Sequence, residues 1–136
     1  MLFKIYTDGG ARGNPGPAAS SFIIYKQDGS SIGQSKYLGV ATNNVAEYHG
    51  VILALEWIST QEIGKNQTTL HFFLDSNLVV SQLNKEFKIK NEELKKLASS
   101  VFEQLGQYKL VSFTHIPREQ NSEADLLVNR CLDENS

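Results

Sequence analysis

The chain has 136 residues, 40% of them hydrophobic, with a net charge of −2. That length fits one domain with a core of its own, and the composition argues against disorder and against a broadly basic nucleic-acid binder. A single cysteine, Cys131, excludes an internal disulfide and a thiolate metal cluster. No apolar run reaches the ~20 residues of a membrane helix, and the N-terminus lacks the apolar region of a signal peptide. The expectation is one cytoplasmic domain over residues 1–136, with no membrane partner.

Strand 1 is expected over residues 2–8, where the apolar run Leu2–Tyr6 leads into Asp8. A loop rich in Gly and Pro follows over 9–18, a composition that lets a rigid ligand approach the main chain. Strand 2 is expected over about 19–26 and strand 3 over about 31–39, joined at the turn signal Asp28-Gly29. These three strands read as an antiparallel meander.

A helix is expected from Asn43-Asn44 to about Thr60, with Glu47, Val51, Ala54, Leu55 and Ile58 along one face. Glu47 thus heads an apolar stripe. Its ordinary structural reading is a capping box with Asn44 as N-cap. Residues 61–68 are a polar connection. Strand 4 is expected over 69–74, and Asp75 then opens a short helix to Leu83, where an acid is a normal N-cap. His71 has no histidine or cysteine partner nearby and reads as structural.

Lys85, Lys88 and Lys90 surround Phe87 in a basic connector, best read as a solvated face. A third helix runs from Asn91 to a C-cap at Gly106, its core stripe being Leu94, Leu97, Val101, Phe102 and Leu105. Trp57 reads as core. Strand 5 is expected over 109–115, followed by a loop over 116–120 and a last helix over 121–132. There Asp125 heads a stripe with Val128 and Leu132, although Ser122 to Asp125 also fits a capping box. The order βββ-α-β-α-α-β-α predicts an α/β fold: a mixed five-stranded sheet flanked by helices. Strands 1–3 are then antiparallel, and strands 1, 4 and 5 parallel through right-handed crossovers.

Each acid has a structural explanation alone; together they leave a coincidence. Asp8 and Asp75 are placed at strand ends, and Glu47 and Asp125 head helices that must pack on the sheet. Ligands of open α/β sheets bind beyond the carboxyl ends of strands. Four carboxylates gathered there repel one another, and divalent cations relieve that repulsion more readily than shared protons do. A set of oxygen ligands alone points to Mg²⁺ or Mn²⁺ rather than zinc. Two such ions about 4 Å apart suit in-line attack on a phosphodiester.

The segments Asp8-Gly9-Gly10 with Gly13-Asn14-Pro15-Gly16, Thr42-Asn43-Asn44 with Glu47, Leu74-Asp75-Ser76, and Arg118-Glu119-Gln120-Asn121 with Ala124-Asp125 resemble the motif set of type 1 ribonuclease H. The resemblance covers essentially the whole chain. It implies a ribonuclease H-like fold and a catalytic, metal-binding quartet of Asp8, Glu47, Asp75 and Asp125 holding two Mg²⁺ ions. It also implies hydrolysis of the RNA strand of an RNA–DNA hybrid, leaving 5′-phosphate and 3′-hydroxyl ends, by an enzyme expected to be monomeric.

By position, the resemblance carries substrate contacts onto Gly9, Ala11, Asn14, Asn43, Asn44 and Asn77. Amides suit a minor groove lined by 2′-hydroxyls, which both donate and accept. The short connector over 84–90 lacks the basic tryptophan-bearing helix of many relatives and resembles the archaeal-type subgroup. Many relatives also hold a mobile histidine near the metals. Arg118 on the last loop is the favoured residue beside the scissile phosphate, with His115 the second candidate. The alternatives are a nuclease that also cuts double-stranded RNA or RNA–DNA junctions, and a non-catalytic hybrid-binding module. Loss of an acid would favour the module, and the sequence keeps all four.

Overall fold

The computed structural model describes residues 1–136. Strands β1 (Leu2–Ala11), β2 (Gly16–Lys26), β3 (Ser31–Ala41), β4 (Thr69–Leu74) and β5 (Leu110–His115) form one sheet in the order β3-β2-β1-β4-β5. Helices α1 (Asn43–Ser59), α2 (Asn77–Leu83), α3 (Glu92–Leu105) and α4 (Ser122–Glu134) complete the chain. β1–β2 and β2–β3 are antiparallel, and β1–β4 and β4–β5 are parallel, as the element order predicts. No helix is long and apolar enough to cross a membrane.

The alternation of β4 is the plainest link from sequence to packing. Leu70, Phe72 and Leu74 are buried, while His71 and Phe73 on the other face are half-buried. The buried set joins Ile5, Phe22, Ile24, Tyr48, Val51, Leu55 and Val101 in the main core, which α1, α2 and α3 share with the sheet. A smaller cluster of Ala19, Val128, Cys131 and Leu132 lies between β2 and α4. Trp57 is half-buried at the core's edge, its ring 6.2 Å from that of Phe22 and under the Lys26 ammonium.

The two helical layers lie on opposite faces, and consecutive glycines show it. A Cβ on Gly9 would collide with the Ala46 carbonyl of α1. A Cβ on Gly10, pointing the other way, would meet Val128 of α4 at 3.9 Å and Asn43 Oδ1 at 4.0 Å, both ordinary contacts. Gly50 completes the close approach of α1: a Cβ there would lie 2.8 Å from the Asp8 carbonyl. Ser20 on β2 reinforces it by donating its hydroxyl to the Ala46 carbonyl at 2.6 Å.

Several boundaries differ from expectation. The strands β1 and β2 do not stop at Asp8 and start at 19; they continue as the pairs Gly9↔Ser20, Gly10↔Ala19 and Ala11↔Ala18. The expected ten-residue loop is therefore a tight turn over 12–15, with Gly13 at φ 93° and a cis Asn14–Pro15 bond. Gly and Ala have low strand propensity, so periodicity hides this extension, yet their small size is what admits two helices so close. The caps also move by a residue or two. Thr42, not Asn44, caps α1 through Val45 N–H at 3.2 Å. Ser76, not Asp75, caps α2. Asn121 takes the N-cap position of α4, and no capping box forms around Ser122. Glu47, Asp75 and Asp125 are thereby released from the capping roles open to them in the sequence. Gly106 ends α3 as expected but with right-handed angles, φ −63°.

The two adjacent glycines give a direct test. Gly9→Ala should lose roughly 1–3 kcal/mol or more, the range for forcing a methyl into packed structure, whereas Gly10→Ala should be close to neutral. Urea unfolding of both variants checks this, and equal losses would contradict the packing described.

Candidate active site

The last β1–β4 pair is Tyr6↔Phe73, whose rings stack with centroids 4.9 Å apart. Two residues further along each chain segment lie Asp8 and Asp75. Period-two alternation therefore carries that aromatic row into a pair of acids where the parallel ladder ends. Helix α1 brings the third acid. Its close approach at Gly9 sets Glu47 over the strand, and Glu47 Oε1 accepts the Gly9 N–H at 3.3 Å. Asp8, Glu47 and Asp75 each place one carboxylate oxygen within 4.8 Å of the others. Asp125, in the first turn of α4, lines the same cleft but lies outside this tight trio.

The trio is poorly suited to being charged by itself. Asp8 is 6% exposed, and burial, followed by the charge of Asp75, pushes its pKa up to about 7. Burial, followed by the charge of Asp8, holds Glu47 well above the usual carboxylate range. Glu47 Oε2 is buried with no hydrogen-bond partner. An oxygen-only set with an unpartnered buried carboxylate oxygen fits a hard divalent cation.

The cleft has a volume of about 570 Å³ and runs past Gly10, Ala11, Arg12, Asn43, Asn44, Ser76, Arg118 and Asn129. Of the expected substrate contacts, Gly9, Ala11, Asn43 and Asn44 line it. Asn14 and exposed Asn77 stand outside its lining. Some of these groups are already engaged. The Gly9 N–H is held by Glu47, and the Ala11 N–H donates to Asn43 Oδ1 at 2.8 Å. Asn14 Oδ1 accepts the Asn43 N–H at 3.0 Å. The hairpin turn is thus laced to the start of α1, and the side-chain NH₂ of Asn43 and the whole side-chain amide of Asn44 carry no hydrogen bond within the protein.

Arg118 begins the short turn Arg118–Gln120, is exposed, and lines the cleft. The only ion pairs in the structure are Arg12–Asp133 and Lys95–Glu92, so Arg118 makes none with Glu119 or Glu123. His115, the last residue of β5, is exposed and outside the cleft lining. Away from the cleft, His71 is structural, its Nδ1 2.6 Å from Ser112 Oγ. Lys85, in the basic connector, lies 4.9 Å over the Phe102 ring.

Two residues at the site escape a reading of sequence alone. Arg12 reaches the cleft while bound to Asp133 at 2.7 Å, a pairing across 121 positions that no local pattern announces. Asn121 is 1% exposed and donates Nδ2 to the Thr7 carbonyl and to Asp75. Its signal is only its place in the Arg118–Asn121 segment, where an asparagine before a helix reads as an ordinary cap.

Residues 6–131 match a family model described as reverse transcriptase-like. A Mycobacterium tuberculosis protein described as bifunctional is 37% identical over 135 residues, 98% of this chain and 36% of that protein. The ribonuclease HI of Halobacterium salinarum is 37% identical over 130 residues, 95% of this chain and 63% of that protein. This chain thus spans from about a third to under two thirds of these curated relatives. A crystal structure of RNase H1 from the same archaeon matches with TM-score 0.90 and 34% identity, covering 98% of this chain and 99% of that one. LC11-RNase H1, solved in complex with an RNA/DNA hybrid, matches with TM-score 0.87 and 37% identity, covering 98% of both chains.

The electrostatics give a signed prediction for the metal-free protein in EDTA. The folded-state pKa of Asp8, about 7, lies above its ordinary value of 3.8, so the folded chain holds a proton that the unfolded chain releases. The resulting penalty is absent below the lower value, grows as pH rises between the two, and is complete above the higher one. Asp8→Asn should therefore melt like wild type near about pH 4 and above it near about pH 8, with divalent metal reversing the order. A gap that is constant with pH would count against the buried-acid reading.

Proposed function

The chain belongs to the type 1 ribonuclease H family, and from that membership we propose that it is a metal-dependent endonuclease hydrolysing the RNA strand of RNA–DNA hybrids. The observation that carries the reading is the carboxylate trio of Asp8, Glu47 and Asp75, gathered at the mouth of a cleft that Asn43, Asn44 and Arg118 also line. The solved hybrid complex of LC11-RNase H1, whose fold superposes along nearly the whole chain, supports the choice of substrate.

Asp8, Glu47, Asp75 and Asp125 would hold the metal, with Mg²⁺ the preferred ion and Mn²⁺ able to replace it. Bound divalent cations supply neutralisation of the acid cluster and a more acidic water. The chain's own groups supply position. Asn43 and Asn44 present neutral amides to 2′-hydroxyls, which distinguishes RNA from DNA without reading bases. A protein of net charge −2 reaches a polyanion better through such contacts than through many lysine–phosphate pairs. In the reaction a water oxygen bonds to phosphorus, the P–O3′ bond breaks, and the departing 3′-oxygen takes a proton. The products carry 5′-phosphate and 3′-hydroxyl ends.

Arg118, which lines the cleft, would hold the phosphate during that exchange. It is unpaired, always charged, and forked to match two non-bridging oxygens. Its contribution grows as charge builds on those oxygens.

Cleavage of an end-labelled hybrid tests the reading. Asp75→Asn should abolish cutting with the fold intact by circular dichroism, because the amide keeps the shape but loses the charge. Arg118→Ala should slow turnover by roughly ten- to a thousandfold, and Arg118→Lys should recover only part. Normal turnover in Arg118→Ala with most activity lost in His115→Ala would reassign the loop. Full activity in Asp75→Asn would remove the metal-site assignment.

A further inference from the structure

We infer that Asn121 is a positioning residue that fixes three of the four acids relative to one another, an inference that rests on the proposed function above. It occupies the N-cap position of α4, where an asparagine oxygen ordinarily accepts a backbone N–H of the first turn. That bond is not made here. The side chain turns inward instead, and Nδ2 donates to the Thr7 carbonyl at 2.8 Å and to Asp75 Oδ2 at 3.2 Å. An amide nitrogen carries two protons, so both are used: one on the residue before Asp8, one on an acid of the trio. The peptide groups extend the junction. The Asn121 carbonyl accepts the Asp125 N–H at 3.1 Å, and the Asn121 N–H donates to the Arg118 carbonyl at 3.0 Å.

One residue thus touches the strand of Asp8, the carboxylate of Asp75, the first turn bearing Asp125 and the turn bearing Arg118. Helix stability does not explain this arrangement. The helix forgoes its side-chain cap, and Asn121 Oδ1 is buried with no partner. Both features cost stability. What the arrangement provides is a fixed orientation for Asp75, whose Oδ2 is held by Asn121 while the residue lines the cleft. A lysine or arginine in that place would neutralise Asp75 and compete with a cation, whereas a neutral amide orients the carboxylate and leaves its charge available.

The experiment uses the purified chain and three variants. Asn121→Ala removes the amide. Asn121→Ser also removes its reach but supplies a good N-cap, so it separates capping from positioning. Ser21→Ala is the structural control: Ser21 Oγ donates to the Ala124 carbonyl at 2.6 Å and ties the same turn of α4 to β2. Ser21 pairs with Asp8 through the strand backbone, but its hydroxyl makes no hydrogen bond to a cleft carboxylate. Melting temperature is measured in EDTA, Mn²⁺ affinity by calorimetry and electron paramagnetic resonance, and kcat and KM on a hybrid.

Both Asn121 variants should weaken Mn²⁺ binding by roughly ten- to a hundredfold and lower kcat, with KM for the hybrid little changed. Asn121→Ser should melt above Asn121→Ala yet bind Mn²⁺ no better. Ser21→Ala should melt lower than wild type with unchanged Mn²⁺ affinity. Wild-type Mn²⁺ affinity in the Asn121 variants would overturn the inference alone, as would an equal loss in Ser21→Ala or recovery of Mn²⁺ affinity by the serine. A wild-type chain that binds no Mn²⁺ would overturn the proposed function and this inference with it.

Discussion

The site depends on how closely helix α1 lies against β1. Two missing side chains set that distance: Gly9 on the strand faces the Ala46 carbonyl, and Gly50 on the helix faces the Asp8 carbonyl. Ser20 then gives the Ala46 carbonyl a second donor from the neighbouring strand. At an ordinary helix–sheet distance of about 10 Å, a glutamate on the helix would reach toward the strand through intervening side chains. Here it meets the strand's own backbone, and Glu47 accepts the Gly9 N–H directly. The same approach dries the site, which is why burial is the first cause of the raised pKa of both Asp8 and Glu47. Packing thus comes first, and the unusual electrostatics follow from it.

The strain of this arrangement is local. The buried side-chain atoms left without partners are Thr7 Oγ1, Glu47 Oε2 and Asn121 Oδ1. Thr7 precedes Asp8 and gives its carbonyl to Asn121, so all three orphans belong to the end of β1 and what packs on it. An unsatisfied buried group costs about 1–3 kcal/mol, and elsewhere the chain avoids it. Tyr48, fully buried in the same helix as Glu47, shows the contrast: its hydroxyl donates to Gln82 Oε1 at 2.7 Å. The large apolar cluster beneath the sheet carries the stability, and the polar cost is concentrated at the end of β1, beside the acid trio.

Much of this is legible in the sequence. The apolar periodicities of β4 and α1 and the order of elements were enough for the mixed sheet and its parallel centre. The four acids could be grouped because each stood at a junction where ligands of such sheets bind. What stayed hidden has physical reasons. The pairing of Gly9, Gly10 and Ala11 with Ala18, Ala19 and Ser20 has no hydrophobic signal, because those positions are small to admit helices on both faces. Cap positions depend on the backbone angles of one residue, so Thr42 and Asn44 could not be ranked from composition. Asn121 was hidden most completely, since its bonds join positions 114 and 46 residues away. The backbones of Gly9 and Ala11 were read as contacts for RNA, and the sequence did not show that their N–H groups also serve the fold.

Charge then links metal and substrate in one scheme. The cleft sets Asp8, Glu47, Asp75 and Asp125 against two arginines, of which Arg12 is engaged by Asp133 and Arg118 alone is unpaired. Without divalent ions the acids repel a phosphate, and their own charges add to burial: that of Asp75 in raising the pKa of Asp8, and that of Asp8 in raising the pKa of Glu47. On the proposed function, ions in the trio convert that repulsion into attraction. Metal should then raise affinity for the hybrid, and by linkage the hybrid should raise affinity for metal by the same factor. Such coupling gives a reason for building the site from carboxylates that are unfavourable on their own. On the proposed function a cation would displace the proton that the cluster holds near neutral pH, so the cleft would become attractive to phosphate as it becomes competent to cut it.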